Sequence, residues 1–163
     1  YIRRYHESET MYKSALAIYE RLAKVNPQAY EPELAQSYND MGCLCHVTQR
    51  FLECEEMFKA ALAMRERLAM NSPQAYEPAL ADSYYNLAFL YRDTQRYDES
   101  EAMYKSAIAI REHLAEDDLQ VYGPALARSY NNLAILYNET QRLAESEEMY
   151  NAAAVIRERL GIE

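Results

Sequence analysis

The sequence has few of the residues that break long helices, and no segment that would carry the chain into a membrane. Glycine and proline account for three and five of its 163 residues, so long helices meet few interruptions. The three cysteines, Cys43, Cys45 and Cys54, are odd in number and close together, which excludes a disulfide framework and fits a reducing compartment. No apolar run approaches the roughly 18–20 residues that span a bilayer, and no basic start leads into an apolar signal segment.

Positive charge is also scarce, because 26 acidic residues against 17 basic ones leave a formal net charge of −9. Nucleic acids and anionic membranes are bound by basic surfaces, so this balance disfavours both as partners. A basic or neutral protein or peptide fits better, and we expect a cytoplasmic protein. Since the first residue is Tyr1 rather than methionine, we also expect a piece of a longer chain.

What the sequence does contain is a repeat. Thr48, Thr94 and Thr140 each open a Thr-Gln-Arg triplet, and the step between them is 46 residues. Prolines, serines and alanines keep the same step: Pro32, Pro78, Pro124; Ser37, Ser83, Ser129; Ala15, Ala61, Ala107, Ala153. A fixed period of this length predicts one supersecondary unit used repeatedly, each copy burying its apolar face against the next.

Each copy is predicted to be a helical hairpin. Apolar residues recur with helical spacing, the Thr-Gln-Arg triplet turns the chain, and the proline that follows each linker suits the first turn of a helix. The predicted helices are 7–23, 32–47, 52–69, 78–93, 98–115, 124–139 and 144–160. We therefore expect one domain over 1–163, consisting of a lone second helix with its linker (1–31) and repeats 32–77, 78–123 and 124–163.

The residues at fixed places in these hairpins resemble the tetratricopeptide repeat, whose pattern alternates aromatic, leucine and small residues. The middle copy supplies Tyr84, Leu87, Ala88, Tyr91, Ser100, Tyr104 and Ala107. The third supplies Tyr130, Leu133, Ala134, Tyr137, Ser146, Tyr150 and Ala153, and the first supplies Tyr38, Met41, Gly42, Cys45, Cys54, Phe58 and Ala61. The lone helix supplies Ser8, Tyr12 and Ala15.

The resemblance implies an all-α fold, a right-handed superhelix or α-solenoid of antiparallel helix pairs with about seven helices. The family's usual period is 34 residues, so each copy carries 12 more, which we place in a longer second helix and in the linker 117–123. In this respect the chain is similar to the long repeats of kinesin light chains. Gln49, Gln95 and Gln141 stand where the family usually has glycine, and each costs up to about 1 kcal/mol if the backbone there is left-handed.

The resemblance also implies a binding surface, because the family binds extended peptides in a concave groove lined by the first helices. Side chains at the matching positions are predicted to bind the partner: Asn39, Asp40, Cys43, Tyr85, Asn86, Phe89, Arg92, Arg128, Asn131, Asn132, Ile135 and Asn138.

Two rows of residues stand out on this predicted surface. Asn86 and Asn132 carry amides that both donate and accept hydrogen bonds, as binding of a peptide main chain requires, whereas Asp40 in the same row lacks the donor. The row of Cys43, Phe89 and Ile135 is apolar and is predicted to hold an apolar side chain. Alternatively, the asparagines only bridge neighbouring first helices and the apolar residues only pack against the next hairpin.

No catalytic, metal or cofactor site is predicted. Cys43 and Cys45 point in different directions on a helix and cannot converge on one ion, while Cys45 and Cys54 fall at core positions. His6 and His113 have no convergent partner for nucleophilic chemistry. The function predicted is a protein-interaction scaffold. The alternative is an architectural module that stacks or swaps through its uncapped ends.

Overall fold

The structure, a computed structural model, describes residues 2–161, and within that range it consists of helices joined by very short connections. The helices are α1 (Ile2–Val25), α2 (Pro27–Val47), α3 (Phe51–Asn71), α4 (Pro73–Asp93), α5 (Tyr97–Asp117), α6 (Leu119–Glu139) and α7 (Leu143–Leu160). No strand occurs in this part of the chain. The predicted number and order of helices are therefore confirmed.

The helix lengths explain the long period. Helices α2 to α6 each contain 21 residues. Two such helices, a three-residue turn and a single joining residue complete the 46-residue repeat. The additional length of each copy is thus helical in both members of the pair.

The predicted linkers before the first helices were wrong. Helices begin at Pro27, Pro73 and Leu119, five residues ahead of the predicted starts. The joining residue caps the next helix, since Asn26 Oδ1 accepts from the Ala29 amide at 3.3 Å and Asp118 Oδ1 accepts from the Val121 amide at 3.1 Å. Pro32, Pro78 and Pro124 consequently lie inside helices, where each removes one backbone hydrogen bond.

The Thr-Gln-Arg turns all have the same left-handed geometry. Gln49, Gln95 and Gln141 have φ values of 58°, 60° and 61°. In the first turn the Arg50 amide donates to the Cys45 carbonyl at 2.8 Å, the bond that closes a Schellman motif. These glutamines therefore occupy the backbone conformation that favours glycine.

The chain forms two compact units, residues 1–76 and 77–163. In the first, α2 packs against α1 and α3, and in the second, α6 packs against α5 and α7. Most of the predicted core positions of the second unit, including Leu87, Ala88 and Tyr104, are buried, whereas Tyr84 and Tyr130 are half-buried and Tyr150 is 41% exposed. In the first unit a Cβ on Gly42 would lie 2.5 Å from the Phe58 ring, so any side chain at this position would force that ring to move.

Candidate functional site

The candidate site is the face of the second unit that α4 and α6 share, which we call the α4–α6 face. Nine predicted binding residues lie on it, and all are half-buried or exposed: Tyr85, Asn86, Phe89, Arg92, Arg128, Asn131, Asn132, Ile135 and Asn138. Leu87 and Leu133, on the opposite sides of these helices, are 1% and 2% exposed. The helical period therefore separates a core side from a solvent-facing side, as the sequence predicts.

Asn132 connects the two helices of this face. Its Nδ2 donates to the Tyr85 hydroxyl at 2.8 Å and to the Arg128 carbonyl at 3.0 Å, while its Oδ1 accepts from Arg92 Nη1 at 3.1 Å. An asparagine amide has two hydrogens to donate, and both are used within the chain. Asn132 thus bridges the neighbouring first helices α4 and α6, as in the alternative interpretation of the asparagine row. A partner's carbonyl would have to displace one of these hydrogen bonds.

The bridge holds Tyr85 among positive charges. The guanidinium carbons of Arg111 and Arg128 lie 4.9 Å and 5.2 Å from the centre of the Tyr85 ring. An arginine near an aromatic ring in this way stabilises the ring by about 0.5–2 kcal/mol. Tyr85 is thereby fixed in place before any partner arrives.

Arg111 is a buried charge that supports the face from below, with 2% of the residue exposed. Its Nη2 donates to Asp82 Oδ1 at 2.5 Å, and its Nη1 donates to the Ala125 carbonyl at 3.2 Å and to the Ser129 hydroxyl. Burial lowers the pKa of the Arg111 guanidinium, and Asp82 opposes that effect. The bonds tie α5 to both α4 and α6.

Sequence reasoning did not assign a role to Arg111 or to its counterpart Arg65. Arginine is rarely buried, so the residue type alone suggests an exposed position. The signal was the repeat itself, because Arg65 stands one period before Arg111 and is 4% exposed. Its Nη2 donates to Gln36 Oε1 at 2.8 Å, and Gln36 is the counterpart of Asp82.

The apolar residues of the face are Phe89 and Ile135, both half-buried. The Arg92 guanidinium carbon lies 4.7 Å from the centre of the Phe89 ring. Apolar side chains that keep part of their surface open beside polar ones are typical anchors for a partner's side chain. Among the outer positions, Asn138 is exposed and Asn131 is half-buried.

Tyr104 lies beneath Tyr85 with its ring edge-on, and the ring centres are 5.8 Å apart. The residue is fully buried, and within residues 2–161 its hydroxyl has no hydrogen-bond partner. Burial raises the pKa of this hydroxyl. The floor of the α4–α6 face therefore contains an unsatisfied polar atom.

The three predicted binding residues of the first unit lie on α2. Asn39 is buried, with 9% exposed, Asp40 Oδ1 accepts from Gln36 Nε2 at 2.7 Å, and Cys43 is exposed. Asn39 accordingly offers a partner little surface, whereas its counterparts Tyr85 and Asn131 remain accessible.

Ion pairs reinforce the junction of successive copies away from this face. Glu101 accepts from Arg142 Nη1 at 2.5 Å, from Lys105 at 2.7 Å and from the Tyr137 hydroxyl at 3.0 Å. The hydrogen bond from Arg142, supported by those from Lys105 and Tyr137, holds the pKa of Glu101 at about 2. The arginine of the third triplet therefore fixes the position of the preceding second helix.

Neither metal ligation nor membrane insertion is suggested by the geometry. Among the described residues, no three or more histidine, cysteine or acidic side chains converge as a metal site would need. Cys45 and Cys54 are fully buried free thiols, at the core positions predicted for them. None of the helices in residues 2–161 has the length and apolar composition of a membrane span.

Comparison with known proteins identifies the repeat. A family model described as tetratricopeptide repeat matches residues 33–113 and 79–159. BtubC (BKLC) from P. vanneervenii is similar over 97% of this chain and 58% of its own, with a TM-score of 0.79 and 23% identity. A Podospora anserina kinesin light chain structure with nearly identical TPR-like repeats is similar over 97% of this chain and 75% of its own, with a TM-score of 0.65 and 17% identity.

The chain thus spans less than two thirds of the length of the first of these structures. At such identities the likeness shows the fold alone. No curated protein matches the sequence.

Proposed function

Because the chain belongs to the tetratricopeptide-repeat family, we propose that it is a protein-interaction module that binds a partner segment on the α4–α6 face. Repeats of this family generally mediate protein–protein interactions. The observation that carries the proposal is the fixed group of Tyr85, Asn132 and Arg92, which is open on one side and braced by the buried Arg111. Preorganised side chains lose less conformational freedom on binding, so they favour recognition.

The face suits a protein segment with both polar and apolar groups. Phe89 and Ile135 offer apolar surface, and Asn138 and Arg128 offer exposed donors on either side. Within the described residues Arg128 makes no ion pair, since its guanidinium only stacks on Tyr85. We propose binding rather than catalysis, because the described residues of the face include no nucleophile beside an oriented base. We also propose a reducing, cytoplasmic setting, which suits the free thiols Cys43, Cys45 and Cys54.

Capture of partners by the immobilised chain tests this proposal. Proteins retained by the wild type are identified by mass spectrometry and then quantified for Ile135→Ser and Asn138→Glu. We expect Ile135→Ser to lower retention by roughly tenfold, because central interface residues carry most of the binding energy. Asn138→Glu should lower retention less, because it exchanges a donor for a negative charge at the edge of the face. Val155→Ser is the matched control, since Val155 is 53% exposed on α7 and lies outside the face.

Thermal unfolding is measured for every variant, so that loss of binding is separated from loss of folding. The proposal fails if both face variants keep their midpoints and retain the same proteins in wild-type amounts. It also fails if Val155→Ser loses as much binding as Ile135→Ser.

A second candidate function is self-association. Tyr150 is 41% exposed on α7, whereas Tyr104 at the same place in the previous copy is fully buried. An exposed aromatic at a position that is buried elsewhere favours burial against a further apolar surface, which a second copy of the chain would supply. Sedimentation velocity over a wide concentration range tests this candidate, and a monomer at every concentration would rule it out.

A further inference from the structure

A cleft opens on the other side of α6, away from the α4–α6 face, and we call it the α5–α7 cleft. It has a volume of about 560 Å³. Ala115, Leu119, Leu126, Tyr130 and Ile156 give it an apolar lining. Volumes of this order are typical of sites that bury a ligand or a few side chains of a partner.

The same hollow occurs in the first unit, two periods earlier, but it is smaller. There it measures about 390 Å³ and is lined by Glu20, Ala23, Lys24, Glu31, Leu34 and Tyr38. In both units the tyrosine hydroxyl donates to the glutamate of the preceding second helix, Tyr38 to Glu20 at 2.6 Å and Tyr130 to Glu112. The hollow therefore recurs with the repeat, because corresponding residues line it in both units.

Two substitutions distinguish the larger cleft from its counterpart. Where the first unit has Glu31, which accepts from Arg67 at 2.8 Å, the second has Gly123, which adds no side chain to the space. Where the first unit has Lys24, the second has Glu116. The second cleft is thus larger, and on its second helix it carries two glutamates where the first unit has a glutamate and a lysine.

The charges around the α5–α7 cleft indicate what would fill it. Glu112 and Glu116 face the space from α5, and within residues 2–161 neither makes an ion pair. Arg159 lies on the α7 side. A carboxylate pair beside an apolar floor complements a cation attached to an aliphatic stem, which can bury its methylene groups while its charge stays at the rim.

We propose that the α5–α7 cleft is a second docking surface, which takes a protein segment in which an aliphatic side chain is followed by lysine or arginine. The aliphatic group packs on Leu126 and Ile156, and the cation lies between Glu112 and Glu116. This surface is separate from the α4–α6 face, so either can bind a partner without the other.

Nuclear magnetic resonance titration of the whole 163-residue chain tests the proposal. The probe is an acetylated and amidated hexapeptide of alternating leucine and lysine, and its comparison is the same peptide with glutamate in place of lysine. We expect saturable amide shifts around Glu116, Tyr130 and Ile156 with the lysine peptide and none with the glutamate peptide. Equal binding of both peptides would overturn the proposal.

The variants change the two positions at which the second cleft differs from the first. Glu116→Lys is expected to weaken binding of the lysine peptide by roughly tenfold, because it replaces an attraction at the rim with a repulsion. Gly123→Gln should act in the same direction by filling the space without adding charge, and the Glu116 variant carries the test if the glycine change impairs folding. Glu147→Lys on α7 is the control, because it makes the same charge change outside the lining.

Loss of binding in Glu147→Lys equal to that in Glu116→Lys would overturn the proposal, since it would show attraction to the acidic chain as a whole. Amide shifts spread over the entire surface of the protein would also overturn the proposal. Shifts of the cleft resonances on raising the chain's own concentration, without peptide, would assign the cleft to a second copy instead.

Discussion

At the scale of single residues, the hydroxyl of Tyr104 is the most informative atom of the second unit. It is buried without a hydrogen-bond partner in the described structure, while the first unit has Phe58 at the same place in the repeat. An unsatisfied buried hydroxyl costs about 1–3 kcal/mol.

We therefore expect Tyr104→Phe to raise the free energy of unfolding by about 1 kcal/mol. Urea unfolding measures this directly. Tyr137→Phe is the control and should lower stability, because the Tyr137 hydroxyl donates to Glu101 at 3.0 Å. A loss of stability in Tyr104→Phe would mean that the hydroxyl has a partner.

The binding residues were only partly predictable at this scale. Helical spacing is enough to group Tyr85, Phe89 and Ile135 on solvent-facing positions, because each residue turns the helix by a fixed angle. The bonds of Asn132 to Tyr85 and Arg92 were not predictable in the same way. They depend on the distance between two helices, which the pattern within one helix does not contain.

At the scale of elements, the turns within each hairpin were better predicted than the connections between hairpins. The ends of α2, α4 and α6 at residues 47, 93 and 139 agree with the sequence, because Thr-Gln-Arg marks them. The starts were missed because Pro32, Pro78 and Pro124 suggest a first helical turn. In the structure Asn26 and Asp118 cap the helices five residues earlier. The helices therefore tolerate the interior prolines, each of which removes one backbone hydrogen bond and crowds the carbonyl four residues before it.

The left-handed turns give a prediction for these elements. Gln95 has φ of 60°, a conformation that is free of strain for glycine and most strained for a β-branched residue. We expect Gln95→Gly to raise the free energy of unfolding above that of the wild type, and Gln95→Val to lower it by about 1–2 kcal/mol. Urea unfolding measures both changes.

Glycine at Gln49 and Gln141 as well should raise the stability further, and valine at these positions should lower it further, since all three turns share one geometry. A stabilising valine at any of the three turns would contradict the left-handed backbone assigned to it.

At the scale of the whole molecule, each unit presents the sides of its helices to solvent in the same repeated way. In the second unit α6 contributes one side to the α4–α6 face and another to the α5–α7 cleft. The first face combines apolar residues with arginines, and the second combines apolar residues with glutamates. The net charge of −9 belongs to the chain as a whole and does not describe either surface.

The central claim is that a partner binds on the α4–α6 face, and site-specific photocross-linking tests it most directly. Benzoylphenylalanine is introduced at Ile135 in one variant and at Val155 in another, and both are exposed to the same captured partner. The account predicts covalent adducts from position 135 and none from position 155. Adducts from position 155 with none from position 135 would contradict it.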